Sequence, residues 1–372
     1  MESEKLKLKR NPSIELLRIL MMLQIIFLHV AEYGEYTDVA LQMEGRVELT
    51  YWIVWLMCRC PVYMFVIITG YFMSNRKEMF NIDRLLRCYL PMLFYSITIP
   101  LLYMIIRHKK LPTDTMVKAY FPFLSRTWYF MTLYLLILLI SPFLNKMVSE
   151  LTRKQFLYLI GICFFIFSVW QPISMIEPFK GIIGIQKILS TQGGKSLYDF
   201  IYMYLLGAYM RRYHIFKKHE NETDSIWDKP FIYLISFVLL GLINVLLVYL
   251  YPDEKIETVV AFNDNPIAVM QCTVLFRFFE KIDMRQHLRI GKVINTISAG
   301  NLGIYMIHEH PIIRNLIWNE IFPIGNSRFY QQKFYLLQVI LIILLVYGMC
   351  WLIDFARKML WVPIKKLLNV TL

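Results

Sequence analysis

Apolar residues along this chain come in long blocks, without the strict alternation of a half-buried strand or the narrow stripe of a soluble surface helix. Each block is close to the ~20 residues that a helix rising ~1.5 Å per residue needs to cross a bilayer. The blocks predict about ten spans, alternating in direction. They fall at 13–33, 52–74, 86–106, 127–147, 155–172, 197–213, 230–250, 258–280, 293–318 and 333–354. Within the second, Arg59 to Pro61 predicts a break, because proline removes a helical hydrogen bond. Asn263-Asp264-Asn265-Pro266 predicts a turn near the start of the eighth. The pattern reads as an all-α, polytopic integral membrane helical bundle. It is expected to be a single membrane-embedded domain over 1–372, with short tails at 1–12 and 355–372.

Composition agrees. Of the 372 residues, 57% are hydrophobic and only 18% charged, too apolar for a soluble two-domain chain. The net charge of +13 sits in short connections between apolar spans, which argues for a membrane and against nucleic acid as the partner. Most Lys and Arg lie in the N-terminal segment, the connections after even-numbered spans and the C-terminal tail, predicting both termini in the cytoplasm. The first outer loop is then acidic (Glu35, Asp38, Glu44, Glu48), whereas 107–126 is basic and runs against the trend. The basic Lys5–Arg10 start resembles a signal peptide. Arg18 interrupts the apolar run, however, and no small-residue cleavage site follows Val30, so the first span is expected to be retained. The cysteines at 58, 60, 88, 163, 272 and 350 show neither a disulfide framework nor metal spacing and read as reduced packing residues.

Two ionisable side chains interrupt the first span, Arg18 and His29, and Glu32 follows at its outer end. At about 100° per residue, the eleven-residue spacing returns His29 to within roughly 20° of the face of Arg18, ~16 Å along the axis. Polar groups at membrane depth are costly and mark functional candidates. Arg76, Lys77, Arg84 and Arg87 form a second cluster on the cytoplasmic side, and Arg84 and Arg87 share a helix face. In the ninth span Tyr305 and His308 share a face, followed by Glu309 and His310. A metal site there is disfavoured, since histidines two apart point to different sides of a helix. Gly70 and Gly207 read as positions of close helix approach.

These residues carry a resemblance. Arg18-x10-His29 is similar to the first-span signature of the bacterial acyltransferase family 3 membrane proteins, which commonly O-acylate cell-surface glycans. RCPVYMFVIITGYF at 59–72 resembles that family's second-span segment, with Thr69 in place of the usual serine. Arg84-x-x-Arg87 with Pro91, Trp128-Tyr129-Phe130, YLLGAYMRR around Gly207 and LGIYMIHEHP around Tyr305 and His308 follow in family order. The resemblance implies a bacterial cell-membrane O-acyltransferase with no permanently bound cofactor. It takes acetyl-CoA or another acyl-CoA as cytoplasmic donor and a saccharide hydroxyl as acceptor. Proteins of polysaccharide biosynthesis are candidate partners.

On that implication His29 is the expected catalytic group. It acts either as general base on the sugar hydroxyl or by taking the acyl group itself, and Glu32 is expected to orient it. The alternative is a buried histidine bonded to a neighbouring helix. Arg18 would bind CoA phosphates, or else snorkel to the lipid boundary. Arg84 and Arg87 would hold the nucleotide end of CoA, or serve topology alone. Tyr305 and His308 would line a substrate channel, or form a packing network. Trp128, Tyr129 and Tyr134 would stack on substrate, or belong to the interfacial aromatic belt. A secondary transporter or glycan flippase is the rival function, with Arg18 and His29 as its substrate or proton site. A non-catalytic scaffold of a polysaccharide-export complex is the third.

Overall fold

The structure is a computed structural model describing residues 10–43, 45–76, 81–175, 179, 193–213, 229–251, 257, 260–282, 284–325 and 327–367. Glu44, Lys77 and the Lys5 to Lys9 stretch of the basic start lie outside them. Every regular element among the described residues is a helix. Six are long and apolar enough to cross a membrane: Pro12–Tyr33, Arg46–Met73, Ile82–Arg107, Tyr129–Glu150, Pro230–Leu250 and Tyr335–Leu360. The second is interrupted where proline predicts, ending at Met57 and resuming at Pro61. In the break the Arg59 guanidinium lies 3.9 Å over the Trp55 ring and donates to the Ala261 carbonyl at 2.7 Å.

The other expected spans are shorter or interrupted. Arg153–Phe164 continues through a π-helical turn, Phe165–Val169, into Trp170–Met175. Leu197–Arg212 starts at a capping box, in which Ser196 and Asp199 exchange side-chain-to-backbone bonds. Pro266–Lys281 starts after the Asn263 to Asn265 turn, and the Asn265 side chain accepts from the Ile267 N–H. The expected ninth span, 293–318, is not continuous. It divides into Leu288–Ser298, Asn301–His308, Pro311–Asn315 and a π-helical turn, Leu316–Ile321. The cause at its centre is Pro311, which pushes the preceding residue out of the helical region: His310 has φ −60° and ψ 129°.

The chain divides into two compact units. One comprises 1–17, 52–80 and 136–292. Its tightest packing joins Pro61–Met73 to Leu197–Arg212. A Cβ on Gly70 would strike the Tyr204 backbone, and one on Gly207 the Ile67 carbonyl. Each helix thus offers its bare backbone to the other, the close approach that small residues permit. Along Pro230–Leu250, Ile235, Leu239, Leu242 and Leu246 form an exposed stripe, while Tyr233, Phe237, Gly241 and Asn244 are buried. Apolar side chains outward and a polar group inward is the arrangement that a lipid solvent selects.

The second unit comprises 18–51, 81–135 and 293–372. Its long C-terminal helix, Tyr335–Leu367, packs on Asn301–His308. Their contact centres on the fully buried Asp354, which takes the Tyr95 hydroxyl at 2.9 Å, Arg357 at 2.8 Å and Lys358 at 2.6 Å. Gly303 leaves room for that carboxylate, since a Cβ there would overlap it.

Candidate functional site

All ten residues that the sequence marks for chemistry (Arg18, His29, Glu32, Arg84, Arg87, Trp128, Tyr129, Tyr134, Tyr305 and His308) belong to the second unit. Two elements build its centre. The uninterrupted helix Pro12–Tyr33 carries His29, and Glu309 sits beside it as the C-cap of Asn301–His308, its N–H donating to the Tyr305 carbonyl at 3.1 Å. His310 caps the next short helix, its Nδ1 accepting from the Ile312 N–H at 3.2 Å.

His29 Nδ1 lies 2.9 Å from His308 Nε2 and 3.2 Å from Glu309 Oε2. His308 is fully buried, with Nδ1 2.6 Å from the Ile304 carbonyl oxygen. A carbonyl only accepts, so His308 Nδ1 carries a proton and, in the neutral ring, Nε2 is its acceptor. His29 Nδ1 must then be the donor between the two imidazoles. The basic nitrogen of a neutral His29 is consequently Nε2. This tautomer is set by a chain of contacts from Ile304 through His308 to His29.

Glu309 is held from its other oxygen. Oε1 accepts from Arg314 at 3.3 Å and from the Tyr33 hydroxyl at 3.4 Å, and the Arg314 guanidinium lies 4.0 Å over the Tyr33 ring. The carboxylate therefore faces an imidazole on one side and a guanidinium on the other. A proton gained by His29 would be stabilised by Glu309 without reorganisation. Aromatic rings wall this group. Tyr305 meets His308 edge-on at 6.1 Å, Phe130 meets Tyr305 at 5.7 Å, and Trp128, fully buried, meets His310 at 5.6 Å. Tyr129, half-buried, is close enough for its charge state to act on Tyr305.

The structure thus brings together His29, His308, Tyr305, Trp128 and Tyr129. Glu32 is exposed, and the carboxylate on His29 is Glu309. Arg18 is half-buried on the same unbroken helix, so the ~16 Å rise to His29 stands. Arg84 and Arg87 occupy the first two turns of Ile82–Arg107, whose cap Asn81 accepts from the Arg84 N–H at 2.9 Å. Among the described residues no group of three or more His, Cys, Asp or Glu is arranged to hold a metal ion. Tyr33 and Arg314 went unmarked by the sequence pattern. Tyr33 was findable, four residues beyond His29 on one helix face. Arg314 was not, because Pro311 destroys the periodicity that would relate it to Glu309.

Several helices long and apolar enough to cross a bilayer point to a multi-pass membrane protein, and its second unit holds an imidazole–carboxylate contact. The family model described as the acyltransferase domain, that of acyltransferase family 3, matches residues 11–355. The chain belongs to that family and is a membrane acyltransferase. No curated protein and no solved structure matches it.

Proposed function

We propose that the protein moves an acyl group, acetyl first among candidates, from cytoplasmic acyl-CoA to a hydroxyl of a cell-envelope polysaccharide or its lipid-linked precursor in a bacterial membrane. The observation that carries this reading is the placement of His29 Nδ1 against His308 and Glu309, which makes Nε2 the basic nitrogen. In the proposed step the acceptor hydroxyl attacks the thioester carbonyl while its proton passes to His29 Nε2. The tetrahedral intermediate collapses and the C–S bond breaks. The leaving thiolate then takes the proton back from the imidazolium, giving the ester and free CoA. General base catalysis of this kind contributes typically 10²–10⁴-fold. Glu309 holds the imidazolium during the interval, and His308 holds the tautomer.

Arg18, Arg84 and Arg87 are the proposed phosphate contacts. Arginines in the first turns of a helix oppose its dipole, whereas an anion bound there satisfies both. A pantetheine arm running along the face between Arg18 and His29 would bring the thioester to the base. Family membership is what favours transfer over transport.

The test is purified protein in lipid nanodiscs with acetyl-CoA and candidate glycans, reading CoA release and O-acetylation by NMR. His29→Ala is expected to abolish transfer while keeping thermal stabilisation by CoA. Normal O-acetylation by that variant would remove His29 from the mechanism, and no response to CoA in the wild type would remove the donor.

A further inference from the structure

The first unit contains a second set of buried ionisable groups, built from three separate segments. Asp199 lies in the first turn of Leu197–Arg212, and Asp264 in the turn before Pro266–Lys281. Tyr63 lies in Pro61–Met73. All three are almost wholly buried, at 0%, 2% and 0% exposure respectively.

Asp199 spends one oxygen on its capping box, where Oδ2 accepts from the Ser196 hydroxyl at 2.6 Å and N–H at 3.1 Å. Its other oxygen, Oδ1, has no hydrogen-bond partner, nor has Asp264 Oδ2, nor the Tyr63 hydroxyl. The hydroxyl faces Asp199 closely enough to interact with it, without the geometry of a hydrogen bond, and the charges of both aspartates reach it. Three orphaned oxygens therefore lie in one electrostatically connected group.

A glycine turn lets the backbone come close to the tyrosine hydroxyl. Gly193 and Gly194 turn with φ of 67° and 85°, a conformation that favours glycine. A Cβ on Gly194 would run into the Tyr63 hydroxyl and lie 2.9 Å from the Asp264 backbone nitrogen. The two turns are tied together by the Asn263 N–H, which donates to the Gly193 carbonyl at 3.2 Å.

Among the described residues no opposite charge acts on Asp264; the side-chain charge that does act on it is that of Asp199, of the same sign. Nearby Arg59 is engaged with the Ala261 carbonyl and the Trp55 ring. Two like carboxylates buried without a counter-charge are strongly unfavourable, and each orphaned oxygen adds its own desolvation penalty.

We propose that Asp199, Asp264 and Tyr63 form a binding site for a hard divalent cation, calcium by preference. Two carboxylates neutralise a divalent ion completely, and a site made only of oxygens suits a hard one. Mg²⁺ gives up its water reluctantly and keeps several, which a site this dry disfavours, whereas Ca²⁺ accepts irregular sets of carboxylate and neutral oxygens. The ion would pin the Gly193–Gly194 turn and the Asn263 to Asn265 turn to the Pro61–Met73 helix.

The test uses the full-length protein in a neutral detergent. Melting temperature is followed against CaCl2, MgCl2 and a choline chloride control of equal ionic strength. Terbium luminescence sensitised by protein aromatics reports binding directly. CaCl2 is expected to raise the melting temperature by several degrees and to displace terbium, with MgCl2 much weaker. In D199N/D264N, where the repulsion is gone and the capping side chains keep their length, both responses are expected to vanish in a protein that still folds. Tyr63→Phe is expected to weaken calcium binding without abolishing it. Wild-type stability that follows pH but ignores calcium would overturn the proposal in favour of a shared proton. Terbium signal surviving in D199N/D264N would overturn it by placing the ion elsewhere.

Discussion

His29 and His308 face each other through Nδ1 and Nε2 at 2.9 Å, and the far side of His308 is fixed on the Ile304 carbonyl. One imidazole thereby dictates which nitrogen of the other is basic. Substituting His308 should therefore impair catalysis through orientation. His308→Ala is expected to lower kcat by about 10–100-fold with little change in KM for acyl-CoA, a fraction of what general base catalysis supplies. His308→Gln presents an amide donor and acceptor in place of the ring and should recover part of the rate. Steady-state kinetics on the two variants checks this, and equal, unrecovered loss in both would argue against the tautomer role.

Two acidic residues compete for the role of partner to His29, and the structure separates them. Glu309 contacts the ring at 3.2 Å, whereas Glu32 is exposed. Glu309→Gln is expected to cost at least tenfold in kcat, since the imidazolium formed during transfer loses its counter-charge. Glu32→Gln should remain within about twofold of wild type, as exposed charges influence such a site weakly. The reverse order would restore the assignment that the sequence suggests.

The contrast shows what the sequence could and could not say. Span-length apolar blocks are a direct consequence of bilayer thickness, so the helical membrane class was legible, as was the break before Pro61. Arg18 and His29 stood out because charge inside such a block is costly. Glu32 was the natural partner by helical proximity, yet the observed partners lie 279 and 280 residues away in sequence, beyond the reach of periodicity. Continuity of the ninth span failed at Pro311 for a reason visible in the sequence, and Glu309 caps the helix that ends before it. Asp264 read only as part of a turn and Asp199 drew no reading at all, and only tertiary structure shows an unpartnered oxygen on each.

Arg314 ties Glu309 to the Tyr33 ring and holds the carboxylate from behind. Arg314→Lys keeps the charge but loses the planar stacking on Tyr33 and the fixed fork of donors. It is expected to fall between wild type and Arg314→Ala in kcat. In a double-mutant cycle, Arg314→Ala with Glu309→Gln should cost less than the sum of the two, because the guanidinium acts through that carboxylate. Strict additivity would mean that Arg314 acts independently.

The arginines assigned to CoA should show their effect in binding of the donor. Arg84→Ala with Arg87→Ala is expected to raise KM for acetyl-CoA about tenfold or more, the loss of two charge-assisted contacts to phosphate, while kcat changes little. Raised salt should weaken the wild type more than this variant, since ionic screening acts on contacts that the variant has already lost. Arg18→Ala, on the helix that carries His29, should lower kcat as well as affinity, because in the proposed arrangement it sets how far the donor reaches toward His29.

Gly207 supplies a test of the scaffold that is independent of chemistry. The Cα of Gly207 faces the Ile67 carbonyl, and that of Gly70 the Tyr204 backbone in the same helix pair. A methyl group at either position meets backbone, which cannot move aside as a flexible side chain can. Overpacking of this kind costs typically 1–3 kcal/mol, and two such contacts in one interface should couple. Gly207→Ala is therefore expected to lower the melting temperature in detergent, and the double variant to yield little folded protein by size-exclusion chromatography. Gly161, whose Cβ would meet open space, is the matched control: Gly161→Ala should leave stability unchanged or slightly improved, as alanine favours the helix by about 1 kcal/mol over glycine. If Gly207→Ala and Gly161→Ala behaved alike, the bare-backbone contact would not be what holds these two helices together.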